Sequence, residues 1–271
     1  MNLWTTEIRE QITYIKMAAW EALGVDAVFS GRPGGGSLPP YHSLNLALHV
    51  GDESETVLIN RARLLEILGA STRQMVCCQQ VHGTRVQRAT RSDAGRGTLE
   101  QSSAIPDCDA LLTDSPGLFL AEFFADCFPL YFFDPARRVV ALAHAGWKGT
   151  MGRIAEKTLK EMNRCWACRY EDVKVFIGPG IGSCCFEIQP DLARRVAEEF
   201  PHHPQLLRRE NGRTTWDLAL TNSVILAGMG VKPENIQDCG LCTSCHPELF
   251  YSYRRDGGIT GRMGALIGLR W

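Results

Sequence analysis

Apolar positions recur along this chain in two rhythms, one helical and one strand-like. Between about Thr6 and Leu23, Ile8, Ile12, Ile15 and Trp20 fall near helical spacing and Gly24 closes the run, which predicts an amphipathic helix. Gly31–Pro40 holds four glycines and three prolines and must be a loop. A second helix follows: Asp52 and Glu55 fit a capping box, Val57, Leu64, Leu65 and Leu68 form its apolar face, and Gly69 stops it. Arg73–Gln87 reads as two strand-like stretches either side of a Gln-Val-His-Gly turn, and Ala89–Pro106 as a polar surface loop. The runs Leu118–Phe124 and Val139–Ala143 are too short and too rich in Leu, Phe and Val for amphipathic helices, so they predict buried strands. Ile154, Leu159 and Met162 predict another helix, Val173–Ile177 a strand ending in a Gly-Pro-Gly turn, and Asp191–Phe200 and Asp217–Met229 two more helices, with Asp217 as the cap of the last. Ala265–Leu269 predicts a closing strand. Strands and helices interleave without a strict βαβ period, which argues for an α/β or α+β fold rather than a barrel. With no internal repeat and no low-complexity segment, residues 1–271 are expected to form one domain.

Composition narrows the partners more than the fold. Lys plus Arg number 29 against 30 Asp plus Glu, a formal net charge of −1. That balance makes no electrostatic case for nucleic acid or a membrane surface. No apolar stretch is long enough to span a bilayer, and the N-terminus lacks the order of a secretory signal, so the cytoplasm is the expected compartment. The eleven cysteines are an odd number in a long chain, and reduced thiols are expected. Cys77-Cys78 and Cys184-Cys185 sit in apolar text and read as small hydrophobes of the core.

Against that background three residues stand out: His82 in Gln-Val-His-Gly, Cys127 in Ala-Asp-Cys and His144 in His-Ala-Gly-Trp. Two imidazoles and a thiolate make a three-ligand zinc set whose fourth position stays open to water or substrate. Cys127 and His144 follow or end the two apolar runs, and two neighbouring strands ending on one side would deliver both to one site. Asp126 is a candidate to orient an imidazole from behind.

Several segments in order resemble the YfiH/YlmD-type family, whose members are described as zinc-dependent purine nucleoside phosphorylases, polyphenol oxidases or laccase-domain proteins. The matching text is Tyr41–Asp52, Val76–Gly83, Phe124–Pro129, Ala141–Gly149, Ile177–Cys185 and Cys242–Arg262, so that only the N-terminal segment, residues 1–24, lies outside the resemblance. The resemblance implies a four-layer αββα sandwich and zinc held by His82, Cys127 and His144. It also implies phosphorolysis of adenosine, inosine and methylthioadenosine, and deamination of adenosine. Lys148 stands where many relatives carry Arg, keeping the charge without the bidentate fork.

Phosphorolysis needs cationic and N–H donors for phosphate. Ser252–Arg262 is the richest source, with Arg254, Arg255 and Arg262 among glycines, and Arg32 in the Gly/Pro loop is another. The competing role for these arginines is pairing with surface carboxylates. Asn45 and His49 are candidates for a substrate wall, against a structural hydrogen-bonded role. The familiar zinc-deaminase order, His-x-Glu before Pro-Cys-x-x-Cys, is reversed at Cys242–Glu248, so deamination would need another acid–base group. Ile177–Gly182 lacks the Gly-Lys-Ser/Thr ending of a phosphate loop and reads as a turn. Cys165–Cys168 and Cys242–Cys245 are too far apart for a zinc ribbon, and Cys165–Cys168 reads as a helix end. Three other functions stand beside the zinc nucleoside enzyme: a cysteine hydrolase or amidase using Cys127 with a His base, a polyphenol oxidase with copper at the same ligands, and a zinc-stabilised binding module. The chain has no His-x-His pairs of the kind multicopper clusters use.

Overall fold

The computed structural model describes residues 4–271. Where a helix is expected over residues 6–23, strands β1 (Thr5–Arg9) and β2 (Ile12–Lys16) form an antiparallel hairpin, followed only by a one-turn helix α1 (Ala18–Glu21). Glu10 and Gln11 take positive φ, 50° and 69°, the conformation of a two-residue turn whose twist suits paired strands. The helical spacing is a coincidence of two strands. Ile12 and Tyr14 face one side of β2 and Ile15 the other, all buried, whereas Ile8 is 74 % exposed.

The chain continues through β3 (Val25–Ser30), α2 (Ser54–Ile67), β4 (Met75–Cys77), β5 (Val86–Arg88), β6 (Ala110–Thr113), β7 (Phe119–Phe124), β8 (Phe128–Asp134) and β9 (Val139–Ala145). Then come α3 (Trp147–Met151), α4 (Ile154–Trp166), β10 (Lys174–Ile177), α5 (Pro190–Glu199), β11 (Leu207–Glu210), β12 (Arg213–Trp216), α6 (Leu218–Gly228), β13 (Ile236–Asp238) and β14 (Met263–Leu269). Two six-stranded sheets result, ordered β1-β2-β3-β14-β7-β4 and β13-β10-β8-β9-β6-β5, with β11-β12 as a separate ribbon.

Alternation of side chains sorts the core into three apolar layers. Leu64 and Leu65 of α2 cover the first sheet at Val28, Phe123 and Leu266. Phe29, Leu120, Phe124, Tyr131, Leu142 and Ile267 fill the space between the sheets. Leu159 and Met162 of α4, with Ile225 and Leu226 of α6, cover the second sheet at Leu130, Phe132, Ala141 and Ala143. This is the four-layer αββα order. On β9 the alternation sends Ala141, Ala143 and Ala145 toward the helices and Leu142 toward the other sheet, and His144 shares that inner face.

Two smaller expectations change. The Asp52–Glu55 capping box does not form: α2 starts without a side-chain cap, and Asp52 instead accepts from Asn45 Nδ2 and the Glu53 N–H. Residues 89–106 are not only surface. Arg61, buried in α2, donates to the carbonyls of Leu46, Gly97 and Thr98 and lies over the Phe123 ring, so the segment is tied into the core. Asp217 caps α6 by accepting from the Leu220 N–H, Cys77 and Cys78 are buried, and all eleven cysteines are free thiols.

Because Gln11 sits at positive φ with a side chain that disfavours it, Gln11→Gly is expected to raise the unfolding free energy by about 1 kcal/mol in denaturant titration. A loss of that size, as glycine causes inside a helix, would contradict the hairpin.

Candidate metal centre

His82, Cys127 and His144 converge: their ligand atoms lie within 4.8 Å of one another. His82 sits in the segment between β4 and β5, where the chain crosses from the first sheet to the second, and takes a left-handed φ of 59° that turns its ring toward the other two. His144 is the penultimate residue of β9. Cys127 immediately precedes β8 rather than ending a neighbour of β9: β7 belongs to the opposite sheet, whereas β8 pairs with β9 at Phe128↔Ala145. The His82 and His144 rings meet edge-on with centroids 4.8 Å apart, and Phe124 closes the other edge of His144 at 5.4 Å.

Asp109, one residue before β6, organises the site. Its Oδ1 accepts from the His82 N–H at 2.9 Å and from His144 Nδ1 at 2.9 Å, and its Oδ2 accepts from Val81 and Gly83 at 3.2 and 2.7 Å. The role expected of Asp126 therefore belongs to Asp109. Asp126 faces away, accepting from Thr243 Oγ1 and the Arg254 N–H, both at 2.7 Å, so it braces the 243–254 segment behind Cys127. A carboxylate can only accept, so the Asp109 bond fixes the proton of His144 on Nδ1 and leaves Nε2 for a ligand.

Burial alone would raise the Asp109 carboxyl, but the His144 hydrogen bond and charge and the backbone N–H groups hold it below the usual range. Burial would likewise push the Cys127 thiol up, yet the His144 charge and hydrogen bonds from both imidazoles bring it down to about 6. His144, which burial would make less basic, is raised to about 10 by the Cys127 thiolate and Asp109. The metal-free site is thus a thiolate beside an imidazolium. Glu122, invisible to motif reading, is fully buried between the sheets with Oε2 unpartnered; burial raises its carboxyl well above the usual range, which keeps it neutral.

Other candidates divide by how their groups are used. Asn45 is fully buried and spends its amide on Ala47 and Asp52 while its oxygen receives the Arg262 N–H, so it positions Arg262 rather than facing a substrate. Arg255 is engaged throughout, by Asp256 and by the carbonyls of Thr243, Ser244 and Phe250, which is the structural role. Arg32 is held by the His42 and Pro247 carbonyls and lies over Tyr251. Arg262 differs: only Nη1 is tied down, to the Thr260 and Gly261 carbonyls, and burial lowers the guanidinium's pKa against the opposing pull of the Cys127 thiolate. His49 opens to solvent nearby and is pushed down to about 4 by desolvation and by the charges of Arg262 and Arg61, so it stays neutral. Arg254 lies over Phe186 and donates to the Glu187 carbonyl, at the rim of a groove shared with Trp147 and Arg195; exposed Lys148 lines an adjoining groove on the other side of Trp147.

The donor set fits a metal. A thiolate, an imidazole with one nitrogen fixed and a second imidazole converge, and glycine at 146 keeps a side chain from crowding them, since a Cβ there would meet Cys127 Sγ at 2.8 Å and the His82 ring at 3.3 Å. A multi-copper array does not fit: among the described residues this is the one donor group that contains an imidazole.

Two outcomes follow. Asp109→Asn is expected to weaken metal binding about 10–100-fold in competition with a chromophoric chelator; unchanged affinity would contradict its role. In metal-free protein the Cys127 thiol, brought down to about 6, is expected to react with iodoacetamide with that midpoint, and His144→Asn should move the midpoint up by removing the neighbouring cation. A wild-type midpoint in the ordinary thiol range would contradict the thiolate–imidazolium pair.

Comparison with known proteins agrees with this architecture. The sequence pattern of the family described as "Multi-copper polyphenol oxidoreductase laccase" matches residues 26–270. The chain is 41% identical over 263 residues to "Purine nucleoside phosphorylase YlmD" of Geobacillus stearothermophilus, covering 95% of this chain and 94% of that one, and 36% identical over 248 residues to the Bacillus subtilis protein of the same name, covering 91% and 89%. The crystal structure of YlmD from Geobacillus stearothermophilus superposes with a TM-score of 0.94 at 38% identity, and that of the Bacillus licheniformis hypothetical protein YfiH with 0.92 at 35%, each covering both chains fully. The chain belongs to this laccase-domain family of YlmD- and YfiH-type proteins.

Proposed function

We propose that this chain is an enzyme, a zinc-dependent purine nucleoside phosphorylase acting on adenosine, inosine and methylthioadenosine, with adenosine deamination as a second reaction, and that residues 1–271 form one catalytic unit. The observation that carries the reading is a three-ligand site beside a half-buried arginine, Arg262, which lies over the Tyr253 ring and whose Nε and Nη2 have no hydrogen-bond partner among the described residues. The name of the Geobacillus stearothermophilus relative supports the reaction class. Three neutral or singly charged N and S donors suit zinc, and a bound zinc supplies Lewis-acid polarisation and acidifies water.

The protein's own groups supply the rest. Asp109 keeps His144 in one orientation with a proton on Nδ1. Arg262 clamps phosphate, bringing an oxygen against C1′ of the nucleoside as the bond from C1′ to the base breaks. His49, neutral, offers one donor and one acceptor for the sugar or base without adding charge beside Arg262. Arg254 is a second cation at the groove rim.

One observation favours a different reading. Cys127, His144 and Asp109 are linked in series as nucleophile, base and orienting carboxylate, the arrangement of a cysteine hydrolase. Metal dependence separates the two. The phosphorylase predicts that inosine yields hypoxanthine only with phosphate and zinc, that Cys127→Ser loses activity together with the zinc held by His82 and His144, and that Arg262→Gln raises the KM for phosphate about 10–100-fold. Base release without phosphate would overturn phosphorolysis, and full ester hydrolysis by metal-free protein would select the hydrolase.

A further inference from the structure

A second constellation of donors lies outside this site. Cys184 and Cys185 meet Cys242 and Cys245, with all four Sγ atoms within 4.8 Å of one another. Of the adjacent pair expected in the core, only the half-buried Cys185 packs against it, whereas Cys184 is exposed, as is Cys245. No ribbon spacing announces the cluster, because Cys245 is 61 and 60 positions from its partners. It forms because the turn after β10 runs beside the segment after β13. Gly180 bridges Cys242 in parallel, the Thr243 N–H donates to the Gly180 carbonyl at 2.9 Å, and the Gly180 N–H donates to the Leu241 carbonyl at 3.3 Å.

We propose that Cys184, Cys185, Cys242 and Cys245 bind one zinc ion as a closed, structural tetrathiolate site. Four sulfurs at about 2.3 Å from zinc in a tetrahedron lie about 3.8 Å apart. Cys245 Sγ sits 3.5 Å from Cys184 Sγ and 3.4 Å from Cys185 Sγ, equidistant from two partners as around a shared centre. A disulfide would single out one partner at about 2.05 Å. The backbone prepares the site: the Gly182 N–H points at Cys242 Sγ at 3.2 Å, and a Cβ at Gly182 would crowd Cys184 Sγ and Cys242 Cβ, each at 3.2 Å. Arg208 and Arg213 line the groove over Cys184, each paired with a carboxylate, Glu210 and Glu187.

The site has a mechanical role. Thr243, next to Cys242, donates to one oxygen of Asp126, and the Arg254 N–H donates to the other. Zinc at the four cysteines staples the two loops that brace the residue before Cys127. Each thiol gives up its proton to solvent on binding, and no oxidation state changes.

Metal analysis of the reduced, full-length protein tests this without any turnover assay, so it stands or falls apart from the nucleoside reading. Wild type is expected to hold two zinc ions per chain, Cys127→Ser one, and Cys184→Ser or Cys245→Ser one. Both of these cysteines are exposed, so the fold should survive their replacement. Zinc X-ray absorption of the Cys127→Ser protein should show four sulfur neighbours, a readout independent of the other variants. A single zinc in wild type that Cys127→Ser removes would overturn the proposal. So would metal content unaffected by Cys184→Ser and Cys245→Ser, or a disulfide within the four in the intact mass.

Discussion

The Asp109 carboxylate is the interaction on which the site depends. It accepts three backbone N–H groups from residues 81–83 and the Nδ1–H of His144, and each bond does a separate task. The backbone bonds pin the only loop carrying His82 in a left-handed conformation that such a residue would not choose freely. The side-chain bond sets which nitrogen of His144 remains for a ligand. A fully buried carboxylate costs several kcal/mol when unsolvated, and four donors, one of them an imidazole, offset that cost. Its neighbour Glu122, equally buried but without comparable donors, stays protonated instead. Two carboxyl groups in one core thus take opposite states because of their hydrogen bonds.

The sandwich makes this carboxylate effective. The segment holding His82 crosses between sheets, and β8 and β9 form an antiparallel pair whose register places Cys127 beside the end of β9. Alanines on the outer face of β9 let α4 lie close, while its inner face carries His144 toward Phe124 of the opposite sheet. The ligands therefore sit at the rim of the layer between the sheets, supported by apolar packing and opening outward near Arg262 and His49.

Much of this was legible in residue pattern alone, and the failures have physical causes. Strands β7 and β9 are readable because strands buried on both faces are short and uniformly apolar, whereas β8, which follows Cys127, is not among the strands the sequence predicts. The same double burial misled at the N-terminus, where β2 carries Ile12 and Ile15 on opposite faces and a turn at Glu10-Gln11 lacks the usual glycine. The three ligands were visible as chemistry, since thiol and imidazoles are rare and reactive. Asp109 was not, because a carboxylate that works through backbone N–H groups leaves no spacing signature, and Asp126 was nearer in sequence. Arg262 could be named but not separated from Arg255, because only the fold shows that one guanidinium is fully spent and the other is not. The pairing of Cys184-Cys185 with Cys242–Cys245 required knowing that β10 and β13 are adjacent and parallel.

A laccase-domain chain with a single imidazole-bearing donor group among the described residues is better suited to one cation with an open face than to a chain of copper centres passing electrons. Anomalous diffraction from crystals of the protein, collected on both sides of the zinc absorption edge, tests that claim most directly. The account predicts a peak within bonding distance of His82, Cys127 Sγ and His144 Nε2, with no fourth protein ligand. Density without that peak after zinc loading, or a peak closed by another side chain, would contradict it.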